Sequence, residues 1–423
     1  MLRTEDECIE YIHSAGRFGK KTGLDNIKAL LRCLENPQRG MRFVHIAGTN
    51  GKGSTSCMIE NILTAAGYKT GMNTSPYIEK FNERLCIDGT PIDGDALIRH
   101  TNTVAKAAEK LKDEGICPIE FELICAIGFL YFKEQGCDFA VLECGLGGRF
   151  DATNAIDTAE VSVICKIGLD HTRILGDTME KIAFEKAGII KENRPVVLHP
   201  DICGGAKEVI MCRAASLGAP VFETESAKVC AMTLSGTDFE YGGKSYHINL
   251  TGTYQAGNAA LAINTAKLLS EKYAISDKNI ADGIANARWK CRFEYIPGEV
   301  NVIIDGAHNP DGIEEFAKSV RALLGGEKKV FVVGMLNDKD FSGCAETLAS
   351  LGGRIIVTDV PSVRQTSGRE VYEVIGRFTG DCEYIPDLRS ALSAAKESAK
   401  AGGFVCVVGS LYLAGEARKM LSF

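Results

Sequence analysis

A chain of 423 residues, 45% hydrophobic and 24% charged, is long enough for two or three domains with large buried cores. Its formal net charge of −7 excludes the basic balance of a nucleic-acid protein, so a small anionic substrate would need local positive clusters. No apolar run approaches the ~18 residues of a membrane span, and no apolar signal segment follows the polar start, so the expected protein is cytoplasmic, with no membrane or nucleic-acid partner.

Helices alternating with strands are predicted up to about residue 290, beginning with helices Thr4 to His13 and Leu24 to Leu34. A strand from Arg42 to Ile46 leads through a glycine-rich turn into a helical pattern from Ser54 to Ala66. A short strand near Lys69 to Met72, a long apolar helix from Glu120 to Glu134, and strands Phe139 to Cys144 and Val161 to Ile167 follow. This alternation implies a parallel sheet covered on both faces. Between Val221 and Leu250 the segments Val221-Phe222, Lys228 to Leu234, Phe239-Glu240 and Tyr246 to Leu250, with a Gly242-Gly243 turn, predict a small antiparallel appendage. A second α/β unit is expected after Arg292, with strands Val300 to Ile304, Val330 to Val333, Arg354 to Val357 and Phe404 to Val408. Helices such as Gly312 to Leu324 and Leu388 to Lys400 alternate with them, and the expected domains are residues 1–294 and 295–423. The 16 cysteines lack C-x-x-C spacing and read as reduced thiols, not as a zinc site or disulfide framework.

The run His45-Ile46-Ala47-Gly48-Thr49-Asn50-Gly51-Lys52-Gly53-Ser54-Thr55 is the most informative stretch. A strand feeding a glycine-rich turn and a helix N-terminus builds an anion site from backbone N–H groups and the helix dipole. Lys52 can reach the outer phosphates of a nucleotide, and Ser54 offers a hydroxyl to Mg²⁺. Gly53 separates the lysine from the serine, so the loop is a variant of the common phosphate loop.

Ligands of open parallel sheets bind beyond the carboxyl ends of the strands. The second such end reads Glu143-Cys144-Gly145-Leu146-Gly147-Gly148-Arg149, and Glu143 suits a Mg²⁺-holding role. A third reads Gly168-Leu169-Asp170-His171-Thr172, which gives His171 a metal or phosphate role. Lys186, beside Ala and Phe on the following helix, would if buried favour a neutral amine open to CO₂. In the second unit, Asp305-Gly306-Ala307-His308-Asn309-Pro310 closes a strand and suggests a loop facing the nucleotide across a cleft, within reach of Arg292. Ser75 to Arg84 reads as a substrate-facing loop, and Asn258 either caps a helix or contacts ligand.

Taken together, HIAGTNGKGST (45–55), SPYIEKFNERL (75–85), ECGLGGRFDATN (143–154), GLDHTRILGDTMEKIAFEKAGIIK (168–191), TYQAGNAALA (253–262), DGAHNP (305–310), GMLNDKD (334–340) and GSLYLAGE (409–416) resemble the folylpolyglutamate synthase and dihydrofolate synthase family, a branch of the Mur-type amide ligases. The resemblance implies an α/β fold: a P-loop-containing Mur-ligase-type ATPase domain and a C-terminal Rossmann-like domain, with the active site between them. It assigns the loop from Gly48 to Ser54, including Thr49, Asn50, Gly51, Lys52 and Gly53, to ATP, joined by Asn258, Arg292 and Asp305. It assigns Mg²⁺, as a pair of ions, to Ser75, Glu143 and His171, and makes Lys186 a candidate carbamylated lysine. Lys52, Lys186 and His308 are the candidate catalytic groups. The pterin-bearing substrate is expected near Gly23 and Leu24, Phe121 and Glu122, and Phe150, Asp151 and Ala152. Two departures stand out: Tyr77 follows Ser-Pro where the family usually has His, and Lys290-Cys291 precedes Arg292 where Pro-Gly is common.

The implied reaction is ATP-dependent amide formation between L-glutamate and either a folate or dihydropteroate through an acyl phosphate, by a monomer. Two alternatives stay open: a Mur-type ligase acting on a UDP-muramyl acceptor, and a P-loop ATPase that does not ligate. Against the first, only about forty residues precede the phosphate loop, too few for a separate UDP-binding domain.

Overall fold

Short apolar runs build the first sheet of the computed structural model, which describes residues 1–16, 23–336, 341–361 and 367–421. Part of the 334–340 segment, residues 337–340, lies outside the described residues. In chain order the strands are β1 (Arg42–Ala47), β2 (Thr70–Asn73), β3 (Leu85–Ile87), β4 (Thr90–Pro91), β5 (Phe139–Glu143), β6 (Val161–Ile164), β7 (Val196–Leu198) and β8 (Val221–Glu223). They lie in the order β4-β3-β2-β5-β1-β6-β7-β8 as an 8-stranded sheet. From β2 to β8 every pairing is parallel, and β3 and β4 add an antiparallel edge. Strand β5 is buried along its whole length, as a strand covered on both faces must be.

The pleat sorts β1 and β5 into two faces. Phe43, Ala140 and Leu142 share a core with Leu123, Ile124 and Ile127 of the helix Glu120–Glu134. The intervening residues face the other way, toward the helix Lys52–Ala65, which packs on β1, β2 and β5. Against that helix lies the helix Asp277–Asn286, whose Gly283 comes so close that an added Cβ would stand 2.5 Å from Ile62 Cα. The connection from β1 passes over β5 to reach β2, and the one from β5 passes over β1 to reach β6. Oppositely directed crossovers of this kind open a crevice at the carboxyl ends of the two central strands.

Chain packing defines two units: residues 1–167, 177–226 and 258–286 form one, and 168–176, 227–257 and 287–423 form the other. The second unit contains a 3-stranded antiparallel sheet of β9 (Lys228–Thr233), β10 (Gly236–Tyr241) and β11 (Lys244–Ile248). Gly242 and Gly243, at φ 56° and 74°, make the tight turn between β10 and β11. Its larger, 6-stranded sheet has the order β12-β13-β17-β14-β15-β16. Those strands are β12 (Glu294–Ile296), β13 (Asn301–Ile304), β14 (Lys329–Val333), β15 (Arg354–Val357), β16 (Cys382–Tyr384) and β17 (Phe404–Val408). Only β12 runs antiparallel to its neighbour.

The predicted α/β class and most elements appear within a few residues of their expected bounds. Three details differ. Val221-Phe222 belongs to the parallel edge strand β8, with Val221 opposite Val196, and not to the antiparallel appendage. The appendage groups with the second unit because Leu234 packs on that unit's core. Strand β6 stops at Ile164, because the chain beyond it turns to serve the phosphate loop. Among the described residues, no helix is long and apolar enough to cross a membrane.

Gly283→Ala is expected to lower unfolding free energy by about 1–3 kcal/mol through overpacking against a helix backbone. Gly380→Ala, where nothing lies within 4 Å, is the control expected to leave denaturant midpoints unchanged.

Candidate active site

The phosphate loop is held open by its own surroundings. The amides of Thr49 and Asn50 donate to the carbonyl of Lys166, at 2.8 and 3.3 Å, so these first loop amides are spent on the segment beyond β6. Gly48 lies so close to that segment that a Cβ would fall 2.5 Å from Cys165 Cβ. Gly51 sits at φ 86°, a left-handed conformation that suits glycine, and caps the helix Lys52–Ala65. The first intrahelical bond runs from Thr55 N to Gly51 O at 2.9 Å, so the amides of Lys52, Gly53 and Ser54 open the helix. That is the anion-binding geometry of a helix N-terminus, with Gly53 letting Ser54 fall on the third helical residue.

Asn258 does not cap its helix. The helix spans Thr253–Ser270 and begins before Asn258, whose buried side chain instead abuts Gly51: a Cβ there would collide with the Asn258 amide oxygen. Lys52 Nζ donates to the carbonyls of Gly48 and Thr49, both at 3.1 Å. Lys186, only 4% exposed, donates to the same Gly48 oxygen at 2.6 Å.

Lys186 is placed by two glycines. The helix Met179–Ala187 meets the loop after β5 so closely that side chains at Gly148 or Gly188 would strike backbone across the contact. Arg149 N donates to Glu185 O at 2.7 Å, while the guanidinium grips the Glu185 carboxylate at 2.7 and 3.4 Å. Asn154 adds bonds from Nδ2 to the carbonyls of Arg149 and Gly188, both at 3.1 Å. Lys191 completes the clamp, donating to Asn154 Oδ1 at 2.9 Å and Ile156 O at 2.6 Å. Burial lowers its pKa to about 8.

The residues expected around the acceptor gather in the first unit. Phe150 packs over Gly23, whose added Cβ would lie 3.8 Å from the ring, and Leu24 packs on the adjoining core. Phe150 remains 42% exposed with the Arg149 guanidinium 4.2 Å from its ring centre. Phe121 lies against Gly145, next to the β5 end. Glu122 is buried, accepts from Ile119 N at 2.8 Å, and has its pKa raised by desolvation. Asp151 is buried between Phe150 and Ala152, and burial raises its pKa. It accepts from Leu146 N at 2.8 Å and from Thr153 N and Oγ1 at 3.1 and 2.6 Å.

Glu143 ends β5 beside Ile46 of β1, and its carboxylate accepts from Ser75 N at 3.1 Å beyond the end of β2. Two of the three expected metal residues therefore meet directly. The oxygen donors of Glu143, Ser75 and Ser54 suit Mg²⁺, a hard cation that takes few protein ligands and completes its shell with phosphate and water. Among the described residues, no group of three His, Cys, Asp or Glu side chains is arranged to hold a metal. His171, with φ 50°, groups with the second unit. There its neighbour Asp170 accepts from Asn309 Nδ2 at 3.1 Å and approaches His308 Nε2 at 3.7 Å. His308 Nδ1 bonds to Gly306 O at 2.8 Å.

In the same unit, Asp305 accepts from Phe293 N and Ala307 N, both at 2.7 Å, and faces the Tyr254 hydroxyl at 3.5 Å. Burial raises the Asp305 pKa, and the Arg292 charge opposes that rise. Arg292 is flanked by two non-glycine residues in the left-handed region, Cys291 at φ 56° and Phe293 at φ 47°. Sequence reasoning passed over His45, Thr153, Lys191, Asp170 and Tyr254. All five lie inside the quoted segments, which is the one signal the sequence offers; the partner of each is revealed by the fold.

This architecture is that of the Mur-type ligases: residues 291–411 match the family described as Mur ligase, glutamate ligase domain. Along nearly its whole length the chain is 36% identical to folylpolyglutamate synthase of Lacticaseibacillus casei, covering 98% of both. It is 34% identical to dihydrofolate synthase/folylpolyglutamate synthase of Bacillus subtilis, covering 100% of both. The solved Mycobacterium tuberculosis folylpolyglutamate synthase complexed with ADP superposes with a TM-score of 0.92 at 28% identity, covering 99% of this chain and 98% of that one. Escherichia coli FolC in complex with DHPP and ADP superposes at 0.87 and 29%, covering 100% and 98%. The chain belongs to the folylpolyglutamate synthase/dihydrofolate synthase family.

Between pH 8 and 10.5 the folded chain sheds the Lys191 proton while the unfolded chain keeps it, so this group makes stability rise with pH across that window. The stability gap between the wild type and Lys191→Met is expected to widen in favour of the wild type from pH 8 to 10, read by chemical denaturation. A constant gap would mean that Lys191 titrates as an exposed lysine.

Proposed function

We propose that this chain is an ATP-dependent ligase that joins L-glutamate through an amide bond to a folate, to dihydropteroate, or to both. The observation that carries the reading is the convergence of the phosphate loop, Glu143 and Ser75 at the ends of β1, β5 and β2, in a chain related along its whole length to enzymes of that name.

A carboxylate does not condense with an amine in water unless it is activated. A carboxylate oxygen of the acceptor attacks the γ-phosphorus of ATP, the bond to the bridging oxygen breaks, and ADP leaves behind an acyl phosphate. The glutamate amine then attacks the acyl carbon, loses a proton, and phosphate departs. The helix N-terminus at Lys52 to Ser54 cradles the phosphates, and Lys52 swings from the Gly48 and Thr49 carbonyls to the oxygens that gain charge. Glu143, Ser75 and Ser54 are the first-unit residues that would hold Mg²⁺, and His171 is the residue of the second unit assigned to a metal. Bound there, the ion supplies neutralisation of phosphate charge.

Asn258 orders the loop at Gly51, and Arg292 and Asp305 are assigned to the nucleotide. His308, held between Gly306 and Asp170, is assigned to the chemical step. The buried Lys186 is well placed for carbamylation beside the phosphate loop, because a carbamate keeps one N–H for the Gly48 carbonyl. The acceptor's ring system is assigned to the surface formed by Gly23, Leu24, Phe121, Glu122 and Phe150 to Ala152.

Phosphate release, assayed with dihydropteroate and with tetrahydrofolate side by side, is expected to require both an acceptor and L-glutamate. Release indifferent to either would point to a non-ligating ATPase and overturn the proposal; activity with a UDP-muramyl acceptor alone would shift it to another Mur-type ligase. Lys52→Ala is expected to cut kcat by about a hundredfold or more while leaving the thermal transition in place. Near-wild-type turnover would remove Lys52 from the phosphate site.

A further inference from the structure

Strand β1 carries a buried polar side chain besides the phosphate loop that ends it. His45 precedes Gly48 by a few residues and is fully buried. It shares its face of the sheet with Phe43, the face covered by the helix Glu120–Glu134 and turned away from the helix Lys52–Ala65. On that face His45 Nε2 lies 2.8 Å from Thr153 Oγ1, and the Thr153 hydroxyl lies 2.6 Å from Asp151 Oδ1.

The proton order in this chain is fixed by its two ends. Asp151 is an acceptor, so the single hydroxyl proton of Thr153 goes to Oδ1, and Thr153 Oγ1 must accept from His45 Nε2–H. Burial holds the His45 pKa well below its ordinary value, so the ring is neutral and carries one N–H. Nδ1 is then the unprotonated nitrogen, and it has no hydrogen-bond partner among the described residues. Cys144 Sγ closes the cluster, 3.3 Å from Nε2 and 3.5 Å from Thr153 Oγ1. Asp151 is thus oriented from behind by Thr153 and from its own loop by the Leu146 amide.

We propose that His45 and Thr153 are positioning residues for the acceptor, whose hydrogen bond fixes the Phe150–Ala152 turn and the Asp151 carboxylate relative to the strand that ends in the phosphate loop. The proposal rests on the reading that this turn takes the aromatic part of the acceptor. In physical terms, one strand sets the separation between the carboxylate to be activated and the phosphate that activates it. Loosening the relay lets the turn and Asp151 move without disturbing the loop at Gly48 to Ser54. Reaction rates that depend on such alignment fall steeply for small displacements.

Thr153→Val keeps the side-chain shape, deletes the proton for Asp151 and leaves His45 Nε2–H without its acceptor. With saturating ATP and glutamate, its KM for the acceptor is expected to rise about tenfold, the cost of one buried hydrogen bond. The KM for ATP should stay within about twofold of wild type. Thr153→Ser, which keeps the hydroxyl, is expected to restore the acceptor KM. The pair His45→Gln and His45→Leu repeats the test from the other end, the glutamine keeping an N–H and the leucine removing it; this pair decides the matter if Thr153→Val does not fold. An acceptor KM unchanged in both Thr153→Val and His45→Leu, or an ATP KM that rises in step with it, would overturn the inference. Wild-type turnover is measured first: if it does not depend on the acceptor, the functional reading fails, whereas acceptor-dependent wild type with unaffected variants sinks only the positioning role.

Discussion

A single carbonyl oxygen, that of Gly48, receives both lysine amino groups of the phosphate loop region, Lys52 at 3.1 Å and Lys186 at 2.6 Å. That shared acceptor fixes three pieces of chain at once: the end of β1, the head of the helix Lys52–Ala65, and the helix Met179–Ala187. A phosphate or carboxylate compensates positive charge better than the carbonyls that Lys52 and Lys186 contact, so an anion bound here would be favoured. The glycines around it follow from the same constraint. Gly48 admits Cys165, while Gly148 and Gly188 admit backbone across the contact, so Lys186 can reach inward from a neighbouring helix.

The central strands separate the two halves of the chemistry by simple alternation. Glu143 falls on the face of the phosphate-loop helix, and His45 on the face of the helix Glu120–Glu134. On the proposed function, metal and phosphate chemistry would be served from one side of the sheet and acceptor orientation from the other. Both report to the same crevice at the strand ends.

Much of this was legible in the residues. Continuous apolar runs such as Phe139 to Glu143 announce strands covered on both faces, and a glycine-rich turn between strand and helix announces an anion site. What could not be read was which partner each polar residue would choose. Asn258 sits near a helix start in the sequence, yet the helix begins earlier and its amide turns to Gly51. Asp151 reads from the sequence as a ligand contact, and the structure adds what the sequence does not show: donors from Leu146 and Thr153 engage it, and Thr153 links it to a histidine more than a hundred residues away. Val221 has the composition of either a hairpin or a sheet edge, and only the register with Val196 decides. Long-range pairing is what local pattern leaves out.

The backbone around Arg292 holds a different kind of information. Cys291 and Phe293 adopt left-handed conformations that a β-carbon disfavours, and Asp305 secures the second of them through the Phe293 amide. Glycine at either position would relax the chain and suit the local geometry better. It would also widen the range of directions the intervening guanidinium can sample. Cys291 and Phe293 thus narrow the directions open to Arg292 at the cost of a strained backbone.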